Sequence, residues 1–236
     1  MADRYWVGGT GTWNFSDTSH WSASSGGSAG ASAPTTSDAA IFDASSGDGG
    51  GSGTVTLSAP SCASVDFTGS TCTVTGVLQQ CYGNVTLASG GTYTSLTIWP
   101  GILGSGTVTS NGNTIAKLVV STTITCADAL SATEIDIRNG STLKLKESVT
   151  SSVSTFTTPS SGANGVLTSG SAGTRATLSD SSGTNSVTYL SIKDIAFTGG
   201  ATWNADTTCV DNGNNTGITF ATASASFDAL FAQSLA

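Results

Sequence analysis

Short segments in which apolar residues alternate with threonine, serine or charged residues recur along most of the chain from residue 54 onward. One kind begins with a polar residue and alternates strictly, as in Thr54-Val-Thr-Leu57 and Thr142-Leu-Lys-Leu145. The other kind varies more, as in Ser64-Val-Asp-Phe67 and Glu134-Ile-Asp-Ile137. A period of two places apolar side chains on one face of a β-strand and polar ones on the other. The pattern therefore predicts an all-β protein.

The second kind of segment returns at a nearly constant interval. Its first apolar residues, including two weaker members, are Val65, Val85, Leu96, Leu118, Ile135, Val153 and Leu190. The usual step is about 20 residues, which is typical of solenoid repeats. We therefore predict a single-stranded parallel β-helix, or β-solenoid. A β-sandwich is the alternative, because Asn111-Gly112 and Asn139-Gly140 resemble the two-residue turns of β-hairpins.

The two ends of the chain differ from its middle. The first 21 residues contain the aromatic side chains Tyr5, Trp6, Trp13, Phe15 and Trp21. Large rings suit the end of a solenoid, where the edges of the sheets would otherwise be open. The predicted segments are an aromatic cap with a Gly/Ser-rich loop at 1–53, a β-solenoid at 54–198, closing turns at 199–222 and a docking tail at 223–236.

The docking tail has the pattern of a short helix. Phe227, Leu230, Phe231 and Leu235 fall at the spacing of one helical face, and Ser226 is placed as an N-cap. An isolated helix of this length is marginal in water, so we expect it to dock on another surface. Two surfaces fit the pattern equally: the end of this chain's own solenoid, or a neighbouring subunit.

Charge and hydropathy narrow the classes of partner. The chain has 7 Lys and Arg residues against 15 Asp and Glu residues, which gives a net charge of −8. This charge disfavours nucleic acid, whose binding needs a basic surface. No apolar run approaches the length of a transmembrane helix, and no signal sequence follows Met1. We therefore expect no membrane insertion and assembly in the cytoplasm without secretion.

The cysteines follow no metal-binding spacing; they are Cys62, Cys72, Cys81, Cys126 and Cys209. Their odd number and the lack of a signal sequence favour reduced thiols buried under strands. A disulfide between Cys62 and Cys72, or between Cys72 and Cys81, is the alternative. We expect no metal ion and no cofactor.

Several candidate binding or catalytic residues also have a structural explanation. Trp6, Trp13 and Trp21 could stack against a glycan, but a hydrophobic cap is the simpler account. His20 is the only histidine, and no G-x-S-x-G elbow supports a Ser-His-Asp triad around it. The Asp-Asn-Gly-Asn-Asn segment at 211–215 lacks the residue order of a calcium loop, so we predict a turn there.

A pair of carboxylates is the remaining catalytic candidate. Glu134 and Asp136 share the outer face of one predicted strand with Arg138, while Lys144 and Lys146 face outward on the next. Paired carboxylates can cleave glycosidic bonds. Cross-strand ion pairing is the simpler account here, because basic side chains lie so close in the sequence. We therefore expect no enzymatic activity and no catalytic residue.

Segments at both ends resemble a known family. At the N-terminal end they are Tyr5-Trp-Val-Gly-Gly-Thr-Gly-Thr-Trp13, Ser19-His-Trp-Ser22, Pro34-Thr-Thr-Ser-Asp38 and Phe42-Asp43. At the other end they are Ser191-Ile-Lys-Asp194, Gly199-Gly-Ala-Thr-Trp203 and Asp211-Asn-Gly-Asn-Asn-Thr-Gly217. They resemble a diffuse family of β-solenoid proteins encoded by tailed bacteriophages and also seen in bacterial surface proteins. That family's C-terminal signature ends in an aromatic residue, where this chain has Ile218.

The resemblance implies a pectin-lyase-like shape and a structural role in a virion, and it supplies no catalytic residue. The absence of a coiled-coil or collagen-like spacer favours a head decoration or head-fibre protein that docks on the capsid. Expected partners are other virion proteins of the capsid or tail, and further copies of the chain. A tail-fibre or host-adhesion protein that binds surface glycan is the second expectation, and a glycan depolymerase is the third.

Overall fold

The fold was obtained as a computed structural model, which describes residues 2–47, 53–100 and 105–222. These residues form 24 strands, and no helix occurs among them. The predicted helical face of the docking tail (Phe227, Leu230, Phe231 and Leu235) lies outside the described residues. The all-β prediction is therefore confirmed for the part of the chain that the structure covers.

The strands, numbered in chain order, belong to three sheets. Sheet A contains β1 (Asp3–Trp6), β3 (Trp21–Ser22), β4 (Ala39–Ile41), β7 (Ser64–Asp66), β9 (Val85–Thr86), β11 (Gly106–Thr109), β13 (Thr123–Cys126), β15 (Thr142–Leu145), β17 (Gly165–Ser169), β20 (Leu190–Lys193) and β23 (Val210–Asp211). Sheet B contains β2 (Gly11–Trp13), β5 (Thr54–Ser58), β6 (Ser61–Cys62), β8 (Thr73–Cys81), β10 (Thr92–Pro100), β12 (Thr114–Val120), β14 (Ser131–Ile137), β16 (Thr150–Thr157), β18 (Ala176–Asp180) and β21 (Ile195–Gly199). Sheet C contains β19 (Thr184–Val187), β22 (Thr202–Ala205) and β24 (Thr219–Phe220).

The chain forms a parallel β-solenoid and not a sandwich. It alternates between sheets A and B, and nearly every strand pairs in parallel with the strand one coil away. Ile98, Leu118, Ile135 and Phe156 illustrate the register, since they stack on four successive coils and are all buried. About nine turns are stacked in this way. At about 4.8 Å between strands, such a stack is roughly 40 Å long.

The recurring sequence segments belong to two different sheets. Val65 and Leu190 lie in sheet A, whereas Leu96 and Leu118 lie in sheet B. The residue in register with Leu118 is Ile98, because β10 has an irregular register between Thr94 and Thr97. Each coil in the middle of the solenoid contributes one strand to sheet A and one to sheet B, so these two sheets have the same average step. This is why the step could be predicted while the register could not.

The two Asn-Gly pairs turn the chain from one sheet to the other. Asn111 and Gly112 have φ angles of +48° and +78°. Asn111 Nδ2 donates a hydrogen bond of 2.7 Å to the carbonyl oxygen of Leu87, one coil earlier. Gly140, which also has a positive φ of 68°, lies between β14 and β15. The hairpin interpretation is therefore wrong, because these turns bond to the neighbouring coil and join strands of different sheets.

The solenoid extends beyond both predicted boundaries, residues 54 and 198. At the N-terminal end, β1 and β2 already pair in parallel with β4 and β5. At the C-terminal end, β22 and β24 continue sheet C. The antiparallel pairing of the two-residue strand β3 with β1 covers part of the first parallel edge of sheet A.

Asp194 connects the turns of the last coils. Its buried carboxylate accepts hydrogen bonds from the backbone N–H of Gly173 at 2.9 Å and from Asn214 Nδ2 at 2.6 Å. These two hydrogen bonds, the one from Gly173 first, lower the pKa of Asp194. The ionised side chain therefore stabilises contacts between turns that are distant in sequence.

Acid is expected to loosen these turns. Because the pKa of Asp194 is lower in the folded state, its stabilising effect is present above the unfolded pKa of about 4 and is lost as the pH falls through the folded pKa. Asp194→Asn should therefore flatten the dependence of the thermal midpoint on pH between about pH 5 and pH 2. Asn214→Ala removes one of the donors and should give an intermediate slope. Circular dichroism melts measure both, and an unchanged slope in Asp194→Asn would contradict this prediction.

Candidate functional site

The three N-terminal tryptophans lie inside the first coils. Trp6, Trp13 and Trp21 are 0% exposed, and their ring centroids lie 5.6, 5.8 and 5.7 Å from that of Phe42. Phe42 stacks in turn on Phe67 at 4.6 Å. The rings fill the N-terminal end of the core, which leaves no ring face for a sugar. The interpretation of the tryptophans as a hydrophobic cap therefore holds, and the alternative of glycan contact at these three residues does not.

His20 packs against this aromatic cluster. Its ring stacks on Trp6 with a centroid distance of 4.7 Å and an interplanar angle of 9°. Nδ1 lies 2.8 Å from Asp17 Oδ2 and 3.0 Å from Ser19 Oγ. In a catalytic triad the carboxylate and the serine contact opposite ring nitrogens, whereas here both contact the same one. Nε2 points at Gly11, where any Cβ would overlap the ring. His20 is a packing residue.

Four charged side chains form a network on the outer face of sheet B. Lys117 Nζ lies 2.7 Å from Glu134 Oε1 and 3.2 Å from Asp136 Oδ2, and Arg138 Nη2 lies 2.7 Å from the same Asp136 oxygen. The hydrogen bond from Lys117 to Glu134 is the largest of the causes that raise the pKa of Lys117. Cross-strand ion pairing is thus confirmed, and each carboxylate contacts at least one cation.

The cation opposite the carboxylates differs from the predicted ones. Lys117 belongs to the preceding coil and is in register with Glu134. Lys144 lies in sheet A, and Lys146 pairs with Glu147 at 2.7 Å. Arg138 does pair with Asp136 as predicted. Lys144 and Lys146 do not pair with these carboxylates, because strands that are consecutive in sequence belong to different sheets. A neighbour on the same face is therefore one whole coil away.

Trp99 lies beside this network and was not predicted as a site residue. It is 37% exposed and shares the outer face with Thr97, which is in register with Lys117. Val77, also 37% exposed, is in register with Thr97 from the other side. The signal was present in the sequence: Ile98 faces the core, so the alternation places both Thr97 and Trp99 outward.

Hydroxyl side chains form columns on the same sheet. Thr114, Ser131, Ser152 and Ser179 are in register on four successive coils. The hydroxyls of Thr114 and Ser131 are 2.9 Å apart, and Ser152 Oγ donates to Ser131 Oγ at 3.2 Å. A second column nearer the N terminus consists of Thr12, Thr56, Thr75 and Thr94. The outer face is therefore polar and uncharged over much of its length.

The five cysteines are free, and four of them are buried. Cys62 and Cys81 are in register on β6 and β8. A hydrogen bond between their sulfurs raises the pKa of Cys62 and lowers that of Cys81. Cys72 Sγ instead donates to the carbonyl oxygen of Ser46 at 3.0 Å. Neither of the two alternative disulfides is present, because register and not sequence separation decides which thiols meet.

The segment 211–215 is a turn, as predicted. Asp211 Oδ1 accepts hydrogen bonds from Gly213 N at 2.9 Å and from Asn215 Nδ2 at 2.6 Å. Asn215 Nδ2 also donates to Ile192 O, and its Oδ1 accepts from Ile195 N. These polar atoms are thus used within the fold. Across residues 2–47, 53–100 and 105–222, no group of three or more His, Cys, Asp or Glu side chains could hold a metal ion.

Two further findings bear on the class of the protein. No helix in the described part of the chain has the length and hydropathy needed to cross a bilayer. No protein-family model, no curated protein and no solved structure matches this chain. The resemblance of the two end segments to phage-encoded solenoid proteins therefore stays a prediction.

Proposed function

We propose that this chain is a non-catalytic structural protein of a tailed-bacteriophage particle, specifically a head decoration or head-fibre protein. The observation that carries the proposal is the apolar sequence segment into which the last coil of the solenoid leads. The core of the N-terminal end is filled by buried tryptophans, and the short strand β3 covers part of the edge of β1. The C-terminal end bears Val210, 44% exposed, on the last strand of sheet A. From there the chain leads into residues 223–236.

This arrangement suits attachment through the C-terminal end. The residues that follow β24 carry the apolar pattern Phe227, Leu230, Phe231 and Leu235. An apolar stripe on a short terminal segment is a common means of docking on a groove of a partner. Many copies on one lattice gain avidity, so each contact can be modest. The hydroxyl columns and the net charge of −8 keep the remaining surface hydrated.

Deletion of residues 224–236 is expected to abolish incorporation of the protein into particles, because it removes the proposed docking residues. A sharper variant replaces Phe227, Leu230 and Phe231 by serine. The matched control replaces Asp228 and Gln233 by serine and should be incorporated normally. Quantitative immunoblots of purified particles measure the copy number. Normal copy number in the deletion variant would contradict the docking role.

The place of the protein on the particle separates the two structural candidates. Antibody labelling of purified particles, imaged by electron microscopy, should show copies spread over the head. Labelling confined to the distal tail would instead support host adhesion. Absence of the protein from particles would refute both.

An enzymatic alternative is tested separately. Incubation of the purified protein with bacterial surface polysaccharides should release no reducing sugar above the background of a heat-denatured sample. Sustained release from any of them would replace the proposed function by glycan depolymerisation.

A further inference from the structure

Apolar and charged side chains meet on one part of the outer face of sheet B. Four large apolar side chains are exposed among the described residues, and two of them, Val77 and Trp99, lie on this face. The ion-paired network lies on the two coils that follow the Trp99 strand, on the same face. We call this surface the Trp99 patch and define it by Val77, Trp99, Lys117, Glu134, Asp136 and Arg138.

Four successive coils build the Trp99 patch. Val77 is in register with Thr97, Thr97 with Lys117, and Lys117 with Glu134. Trp99 lies two residues beyond Thr97 and therefore on the same face. The strands that carry Trp99 and Glu134 are two strand spacings apart, which is roughly 10 Å along the solenoid axis. The patch is thus long enough for a ligand of more than one ring.

The chemistry of the Trp99 patch is that of a carbohydrate site. A pyranose ring has an apolar face of C–H groups and a rim of hydroxyls that both donate and accept hydrogen bonds. Tryptophan offers a flat apolar face at a small cost in side-chain entropy. Lys117 and Arg138 supply donors and Glu134 supplies acceptors, while the buried Asp136 holds both cations in place. Their mutual contacts of 2.7 to 3.2 Å hold them in place, and charged partners make the stronger hydrogen bonds.

Charge and area disfavour other classes of ligand. The network has two cations and two carboxylates, so it has no net charge with which to select an ionic ligand. The net charge of −8 disfavours nucleic acid. A stable protein interface buries about 800 Å² on each partner, far more than one tryptophan and one valine expose. A small ligand with one apolar face and a polar rim fits these limits.

We propose that the Trp99 patch binds a neutral oligosaccharide. One sugar ring lies on the indole of Trp99, and the adjoining ring makes hydrogen bonds to the Lys117–Glu134–Asp136–Arg138 network. This site replaces the buried tryptophans as the place of glycan contact. It goes beyond the proposed structural role and does not depend on it, because a virion protein of either location can carry such a site.

Isothermal titration calorimetry on the full-length protein tests the site with neutral hexasaccharides of glucose, mannose and N-acetylglucosamine. Saturable binding is expected for at least one of them. Trp99→Ala should weaken that binding at least about tenfold, since it removes the stacking surface. Trp99→Phe, which keeps an aromatic ring, should recover part of the affinity. Phe15→Ala, at an exposed ring remote from the patch in sequence, is the matched control and should bind as the parent does.

Three outcomes would overturn the proposal. They are no binding to any of the sugars, equal affinity in the parent and in Trp99→Ala, and a change of oligomeric state in Trp99→Ala without sugar binding. Sedimentation velocity of both proteins detects the last, which would identify the patch as an interface between copies. Because these measurements use purified protein, their failure leaves the test of particle incorporation unaffected.

Discussion

Replacing Trp21 by alanine is expected to loosen the N-terminal coils and to lower the thermal midpoint by roughly 10 °C, since a buried tryptophan lost from a core costs about 3–5 kcal/mol. Its indole packs edge-on against Trp6, Trp13 and Phe42 at 5.1 to 5.7 Å. A solenoid transmits stability mainly between neighbouring coils. The loss should therefore appear first near the N terminus, as faster hydrogen exchange in β1, β2, β4 and β5.

Two further variants make the test specific. Phe15→Ala removes a ring that is 63% exposed and should change the free energy of unfolding by less than about 0.5 kcal/mol. Trp21→Phe should fall between the two, because it keeps a ring in the cluster. It also removes an indole N–H that is buried without a hydrogen-bond partner. Equal melting of Trp21→Ala and Phe15→Ala would show that the cluster does not stabilise the end of the solenoid.

Gly199→Ala is expected to be the most damaging glycine substitution in the described C-terminal coils. Gly199 has a φ of +95°, and a Cβ there would overlap the carbonyl oxygen of Asp180, its partner in the preceding coil. The strained backbone costs about 1–2 kcal/mol, and the overlap adds about 1–3 kcal/mol by pushing two coils apart. Thermal melts followed by circular dichroism measure the sum.

Gly183 provides a closely matched control. Its φ is +93°, but nothing lies within 4 Å of the position that a Cβ would take. Gly183→Ala should therefore show the backbone strain alone, and the difference between the two variants isolates the contact between coils. If both variants melted at the same temperature, the close approach of the coils at Gly199 would not contribute to the loss of stability in Gly199→Ala.

The fold was predictable because its signal is repeated many times. Each coil needs inward apolar residues at the same places, and buried stacks such as Leu118 on Ile135 leave a period of two in every strand. The register between strands was not predictable, because β10 contains shifts of register that no residue type in its sequence indicates. The same uncertainty hid the Cys62–Cys81 neighbours and the true partner of Glu134, since one coil has no fixed length.

The sequence also could not decide which aromatic side chains are buried and which are exposed. A cluster of aromatic residues in sequence indicates either a core or a binding surface, and only the path of the chain around Phe42 decides that Trp6, Trp13 and Trp21 are inside. The sequence pattern did not indicate Trp99 as a site residue, because the alternating segment before it ends at Ile98. Strand β10 continues to Pro100, so Trp99 is still governed by the alternation that places it outward.

The glycines of the C-terminal signature have a structural reason. Gly199 and Gly217 both have positive φ angles, and both lie against a backbone carbonyl of the preceding coil. Trp203 packs on Phe197 at 4.8 Å and on Phe156 at 5.7 Å, which fills the core of the last coils. These residues therefore provide close stacking and a filled core in the last coils, which the fold requires.

The N-terminal coils also set an order of folding. Pairing of β2 with β5 joins Thr12 to Thr56, whereas later coils join residues such as Thr114 and Ser131 that are much closer in sequence. The costly loop closure therefore involves the part of the chain that leaves the ribosome first. Once the aromatic end has formed, each new coil finds a completed template and adds by local contacts. At the growing end, only the sheet edges of the last coil formed are then open to other chains.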